Sequence, residues 1–178
     1  MKLYLVRDCE TDYNAKKIII STTDLPLNKN GVKQASFLRK QLINEKFDFI
    51  ISSPLLRAKQ TAEIINENLG LEIQFDNRIR ERDYGEFEGI NIDNFDFVSF
   101  WEYNNKKIGK TETSENFINR VFSFLNELKN KYEDKNILIV AHGSINIAIS
   151  AYFAKEIPTN LLDVASIIES MEVNEYEY

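Results

Sequence analysis

Histidine is nearly missing from this sequence. His142 is the only one among 178 residues, so chemistry that needs a second imidazole is excluded. Cysteine is as scarce: Cys9 stands alone, which rules out an intrachain disulfide and removes any reason to invoke an oxidising compartment. No apolar run approaches the roughly 18 residues that a bilayer-spanning helix needs. A basic surplus is absent too. The 22 Lys and Arg are outnumbered by 28 Asp and Glu, for a formal net charge of −6. That balance argues against general binding to nucleic acid or an acidic membrane, while leaving room for a local basic pocket. The first residues enter a strand-like run at once, without a signal-peptide pattern, so a cytoplasmic location is expected.

What remains describes an ordinary globular chain, with 43% hydrophobic and 28% charged residues and enough length for one full-sized core. A single domain over residues 1–178 is expected. Leu3 to Val6 reads as a buried parallel strand, because it is short, continuous and apolar. Asp12 to Asn30, with Pro26 and Asn28, reads as an irregular loop. Val32, Ala35, Leu38 and Leu42 keep helical spacing after Gly31. Phe47 to Ser52 predicts a second strand. A helix then starts near Pro54, carries Ala58, Thr61, Ala62, Ile65 and Leu69, and stops at Gly70. Leu71 to Phe75 predicts a third strand, and Ile79 to Gly89 a loop. Phe97 to Tyr103 predicts a short helix. Ser114 to Tyr132 predicts a long one, with Ser114 as a half-formed cap because Phe117 stands where an acid would complete the box. Ile137 to Ala141 is the fourth strand, Ile145 to Phe153 an apolar helix, and Ser166 to Ser170 an edge strand.

Strands alternate with helices, which predicts a layered α/β fold with a mainly parallel sheet. Ligands bind beyond the carboxyl ends of such strands. Arg7-Asp8 and His142-Gly143 both fall there.

Four segments carry the chemistry. They are Arg7-Asp8-Cys9-Glu10-Thr11 with Asn14; Ser52-Ser53-Pro54-Leu55-Leu56-Arg57-Ala58-Lys59-Gln60-Thr61-Ala62; Glu81-Arg82-Asp83-Tyr84-Gly85-Glu86-Phe87-Glu88-Gly89; and Ala141-His142-Gly143-Ser144. In this order they resemble the histidine phosphatase superfamily, the phosphoglycerate mutase-like proteins, over about residues 2 to 154. The resemblance implies a three-layer sandwich with a mainly parallel central sheet. It also implies a phosphate pocket made by Arg7, Asn14, Arg57, His142 and Gly143, with Glu81 as the acid that protonates the leaving oxygen, and no metal or cofactor. Guanidinium forks suit phosphate oxygens, and His142 with the amides at a helix start would stabilise the transferring phosphoryl group.

Family members carry Arg-His-Gly-Glu-Thr after the first strand. Here Asp8 stands at the position of the nucleophilic histidine and Cys9 at that of the glycine. A carboxylate beside two arginines is expected to ionise, to repel a phosphate and to pair with Arg7 or Arg57. The expectation is therefore a phosphatase scaffold with lost or strongly reduced phosphomonoesterase activity that keeps a pocket for a small phosphorylated or otherwise anionic ligand. Two other readings stay open: an active phosphatase in which Asp8 does altered chemistry, and a non-catalytic interaction module. Asp8 as a salt-bridged carboxylate outweighs Asp8 as a nucleophile, and Cys9 as a small buried side chain outweighs a reactive thiol. Glu86 and Glu88 compete with Glu81 for the acid position. A metal site from Asp8, Glu10, Glu81 and His142 is conceivable, but no spacing demands it.

Overall fold

A computed structural model describes residues 1–103, 108–165 and 168–178. Its strands are β1 (Lys2–Arg7), β2 (Phe49–Ser52), β3 (Ile73–Phe75), β4 (Asn136–Ala141) and β5 (Val173–Glu177). They form a five-stranded sheet in the order β3-β2-β4-β1-β5. All neighbours run parallel except β5, which pairs antiparallel with β1 from Lys2↔Glu177 to Val6↔Val173. The helices are α1 (Asp12–Ala15), α2 (Lys29–Gln41), α3 (Leu56–Asn66), α4 (Phe97–Phe100), α5 (Ser114–Lys131) and α6 (Ile145–Ala154). Among the described residues no helix is long and apolar enough to cross a membrane.

The layers follow from the two-residue period of the strands. Tyr4, Val6, Ile50, Leu138 and Val140 point to one face, where they pack with Ala35 and Leu38 of α2 and Ala58, Ala62 and Ile65 of α3. Leu3, Leu5, Phe49, Ile51, Ile137 and Ile139 point to the other, against Phe117, Val121, Phe124 and Leu128 of α5 and Ile145, Ile147 and Ile149 of α6. Both faces are covered, which is why the central strands are continuously apolar. In α5 the buried residues recur every three or four positions, as an amphipathic helix requires. In α6 residues 145–149 are all buried, because this helix lies under both α5 and the C-terminal aromatic side chains.

Several boundaries differ from the sequence expectation. The expected edge strand at Ser166 to Ser170 is not the one observed. Ser166 and Ile167 lie outside the described residues, 168–170 are not strand, and the edge is β5. Its alternation of polar and aromatic residues hid it as an acidic tail. The cap of α5 is Thr113, whose side chain accepts from the Asn116 amide at 3.2 Å, rather than Ser114. Ser114 Oγ donates instead to the Glu102 carbonyl at 3.0 Å. The stretch read as irregular holds α1, closed by a complete capping box between Thr11 and Asn14.

Gly31 shows how tightly the first loop is tied down. Asn28 caps α2 by accepting from the Gly31 amide at 2.8 Å, while its own amide donates to the Glu10 carbonyl at 3.0 Å. A Cβ on Gly31 would lie 2.2 Å from that same carbonyl oxygen. Replacing Gly by Ala in an open helix stabilises by about 1 kcal/mol. Here we expect Gly31→Ala to destabilise instead, by about 1–3 kcal/mol, since backbone must move. Urea denaturation of the two proteins gives the sign.

Candidate active site

The carboxyl ends of β1, β2 and β4 reach one edge of the sheet together. The Asp8 amide donates to the Ala141 carbonyl at 2.7 Å, and the Ser53 amide to the Val140 carbonyl at 2.9 Å. Backbone pairing thus sets Asp8, Ser53 and His142 side by side before any side chain contributes. A cavity of about 400 Å³ opens at this edge, within the usual range for small-molecule pockets. Of the residues expected at the site, Arg7, Asp8, Asn14, Arg57, Glu81 and Gly143 line it. His142 does not. It is fully buried, one layer behind Asp8.

Arg57 is the most committed side chain. Its Nε donates to Asp8 Oδ2 at 2.7 Å, Nη2 to the Ser21 carbonyl at 2.8 Å and Nη1 to the Thr23 carbonyl at 3.1 Å. The guanidinium is 1% exposed and the Asp8 side chain 8%. This is the pairing the sequence suggested for Asp8. Burial by itself would raise the Asp8 carboxyl, but the His142 ring beside it and the Arg57 and Arg7 guanidiniums outweigh that and hold it down at about 2. Asp8 is therefore ionised at neutral pH.

Behind it, His142 Nε2 lies 2.7 Å from Ser53 Oγ, and His142 Nδ1 lies 3.3 Å from Asp8 Oδ1. The second contact is close but out of line, so Nδ1 is buried without a hydrogen-bond partner. Serine, imidazole and carboxylate stand in the sequence of a catalytic triad. The serine is on the wrong side, however: Ser53 is fully buried and is not part of the cavity wall. No substrate reaches its hydroxyl, and the row of three works as packing.

Glu81 faces Asp8 across the cavity. Its Oε1 accepts from the Ser144 hydroxyl and, at 2.9 Å, from the Arg82 amide. Burial pushes its carboxyl above the ordinary value despite the His142 ring and the Arg82 amide, so it holds a proton longer than an exposed glutamate would. Of its rivals, Glu88 accepts from the Ser21 and Thr23 amides at 2.7 and 2.9 Å, which closes the loop that carries the Arg57 carbonyl partners. Glu86 accepts from the Lys110 amide at 2.7 Å. Neither lines the cavity.

Arg7 is more lightly engaged. Its Nη1 donates to the Ile168 carbonyl at 3.0 Å and lies 3.8 Å from the exposed Glu169 carboxylate. Asn14 spends its side-chain oxygen on the Thr11 amide and hydroxyl, at 2.9 and 2.8 Å. Gly143 lines the wall just ahead of α6, and its carbonyl accepts from the Ile168 amide at 3.4 Å. Cys9 is fully buried, with its amide bonded to Thr61 Oγ1 at 3.1 Å, and burial pushes its thiol up to about 12. Such a thiol is inert. Its backbone is not left-handed, so its Cβ imposes no strain on the turn. Among the described residues no three of His, Cys, Asp and Glu gather as a metal site would require.

Sequence reasoning missed Arg82. This side chain is buried, with its guanidinium carbon 3.6 Å from the Phe100 ring centroid and 4.6 Å from that of Trp101. It bonds to the Glu112 and Phe100 carbonyls at 3.1 and 2.9 Å and so anchors the segment that presents Glu81. It sat in a charged run with nothing to mark it from its neighbours. The aromatic residues from Phe95 to Trp101 divide: Phe100 and Trp101 are core, Phe97 faces the cavity, and Asn104 to Lys107 lie outside the described residues.

Comparison with known proteins agrees with this architecture. The chain is 39% identical over 140 residues to a protein of Bacillus subtilis named as an uncharacterised phosphatase, PhoE, covering 79% of this chain and 70% of that one. It is 37% identical over 155 residues to a putative phosphoserine phosphatase 2 of Hydrogenobacter thermophilus, covering 83% and 76%. The solved structure of Bacillus stearothermophilus YhfR superposes with a TM-score of 0.87 at 26% identity, over 99% of this chain and 90% of that one. A family model described as histidine phosphatase superfamily, branch 1, matches residues 3–178, including the C-terminal strand beyond the motifs, and the chain belongs to that superfamily.

Proposed function

We propose that this chain is a histidine-phosphatase-superfamily protein in which the phosphohistidine route is closed and an anion-binding pocket survives. The observation that carries the reading is the Asp8 carboxylate, which sits 2.7 Å from Arg57 Nε with the guanidinium otherwise tied to two carbonyls. Asp8 stands where the family pattern calls for the histidine nucleophile, and His142 is the sole imidazole. A nucleophile must be free to approach phosphorus. Asp8 instead brings a fixed negative charge to the place a phosphoryl oxygen would take, and repels it.

In this reading Glu81 keeps the acid position, with Ser144 and Arg82 orienting it. Arg7, Asn14 and Gly143 remain on the wall to receive an anion. His142, buried behind Asp8, acts by holding that carboxylate in place. The relatives are named as phosphatases, and the proposal is that this chain shares their scaffold and has lost most of their turnover. A reading in which Asp8 accepts the phosphoryl group has the Arg57 pairing against it, and one in which it activates water has the carboxyl value against it. A base held at about 2 attracts a proton weakly. We place the protein in the cytoplasm, with a small anionic or phosphorylated molecule as its partner.

Hydrolysis of para-nitrophenyl phosphate by the native chain and by its Asp8→His, Cys9→Gly variant tests the proposal. We expect the variant to be faster by at least about a hundredfold, since restoring a lost nucleophile typically recovers orders of magnitude. Comparable turnover by the native chain would overturn the proposal.

The buried carboxylate also makes a pH prediction. Asp8 is lowered in the folded chain from 3.8 to about 2, so its contribution to stability is fully present above about pH 5 and is lost as pH falls towards 2. Asp8→Asn leaves Arg57 buried without its counter-charge and destabilises at pH 7. The gap between the two proteins should shrink by about 1 kcal/mol on acidification from pH 7 to pH 3, as measured by urea denaturation. A gap that stays constant would mean that Asp8 is not held as an ion.

A further inference from the structure

The cavity has a second pole that the family chemistry leaves unused. Its apolar lining is made by Ile18, Ile19, Ile20, Tyr84, Ile92 and Phe97, of which Ile18, Ile20, Ile92 and Phe97 are half-buried. Two extended segments build it. The Ile19 amide donates to the Ile90 carbonyl, the Ile92 amide to the Lys17 carbonyl and the Gly89 amide to the Ile19 carbonyl, each at 2.9 Å. Alternation along this short ribbon sorts its three successive isoleucines. Ile19 is 4% exposed and belongs to the main core. Ile18 and Ile20 are half-buried, and among the described residues they join neither core. Their apolar surface faces the cavity. Phe97 completes the wall, steadied by edge contacts to Phe95 and Tyr84 at 4.8 and 6.4 Å between ring centroids.

The charged pole favours one negative charge over two. Asp8, Glu10, Glu81 and Glu169 all line the cavity, facing Arg7, Lys17 and Arg57. Arg57 is taken by Asp8 at 2.7 Å. Lys17 is exposed at the rim, 3.8 Å from Asp93. Glu10 accepts from the Asn28 and Asn30 side-chain amides at 2.8 and 3.1 Å, which fix it at the pocket wall. An incoming anion therefore finds the Arg7 fork on one side and fixed carboxylates on the other. For a dianion both the attraction to the one guanidinium on offer and the repulsion from those carboxylates double. The cost of leaving water grows with the square of the charge, about fourfold, so the balance favours the monoanion.

We infer that the ligand of this pocket is a singly charged carboxylate with a medium-length hydrocarbon body, its head at Arg7 and its chain along Ile18, Ile20, Ile92 and Phe97. This rests on the reading that the pocket binds anions without hydrolysing them. It goes further by excluding phosphate dianions as the preferred guests.

Isothermal titration at pH 7 with butyrate, hexanoate, octanoate, hexanol and inorganic phosphate tests it. Burial of each methylene is worth about fourfold in affinity, so dissociation constants should fall by about that factor per carbon along the acid series. Hexanoate should bind at least tenfold more tightly than hexanol, and more tightly than phosphate. Ile18→Asn or Ile20→Asn should flatten the chain-length dependence, and Arg7→Gln should erase the preference for acid over alcohol. Either isoleucine variant suffices should the other fail to fold. Affinity that is flat with chain length, or hexanol binding as well as hexanoate, would overturn the inference. If phosphate still binds in that case, the anion pocket stands and only this ligand class falls. Turnover of para-nitrophenyl phosphate by the native chain would count against the closed phosphohistidine route, and the chain-length series reads independently of it.

Discussion

A guanidinium buried to 1% exposure must have an anion beside it, and in this molecule the anion is Asp8. That demand organises the whole sheet edge. Arg57 comes from the first turn of α3, Asp8 from the end of β1, and the Ser21 and Thr23 carbonyls from the loop between α1 and α2. One side chain thus joins three segments far apart in sequence. Glu88 closes the same loop from a fourth direction. Removing either member of the ion pair leaves a charge stranded in a poorly solvated place, which is far costlier than removing both. A pocket built to hold a phosphate concentrates positive charge and waits for its guest. Here the chain supplies an anion of its own, the Asp8 side chain, at an ionic contact that persists over the whole physiological pH range. In the proposed reading that contact stabilises the site in its unliganded form.

The sheet makes this substitution feasible. Parallel strands deliver their carboxyl ends to one edge, and the strand order puts β4 between β1 and β2. Asp8, Ser53 and His142 are thereby placed by backbone hydrogen bonds, with side chains free to settle within that frame. A histidine at position 8 would face the same neighbours. The frame holds a carboxylate here because the Arg57 Nε donates to it at 2.7 Å and the His142 ring lies beside it. Fold and chemistry are separable here, as is common among scaffolds that host many functions.

Much of this was legible in the residues. Alternating apolar strands and three- and four-spaced helices identify the layers, because burial on two faces or on one stripe leaves a periodic trace. The pairing of Asp8 with an arginine was legible once the family resemblance put Arg7 and Arg57 in one pocket with it. What escaped was whatever lacks a local period. β5 is short, half-exposed and interrupted by Asn and Glu, so nothing distinguishes it from a solvated tail until β1 pairs with it. The displacement of His142 from the cavity wall depends on side-chain depth, which sequence order does not encode. The stretch of Ile18, Ile19 and Ile20 shows the same limit. Three adjacent isoleucines signal apolar surface, but only the pairing with residues 90–92 decides that all three border the cavity and that Ile19 alone is also buried in the core.

The apolar mouth and the filled anion fork also constrain each other. A phosphate ester draws most of its affinity from its head, so an unused hydrocarbon wall would matter little to it. Once Asp8 occupies Arg57, the head contributes less, and the wall becomes a comparable source of affinity. Each half-buried isoleucine offers apolar area at about 25 cal/mol per Å² removed from water, without the desolvation that a charged contact exacts. In the proposed reading, a closed phosphohistidine route and a retained apolar mouth belong together: a pocket that does not activate phosphorus has a physical reason to keep its shape.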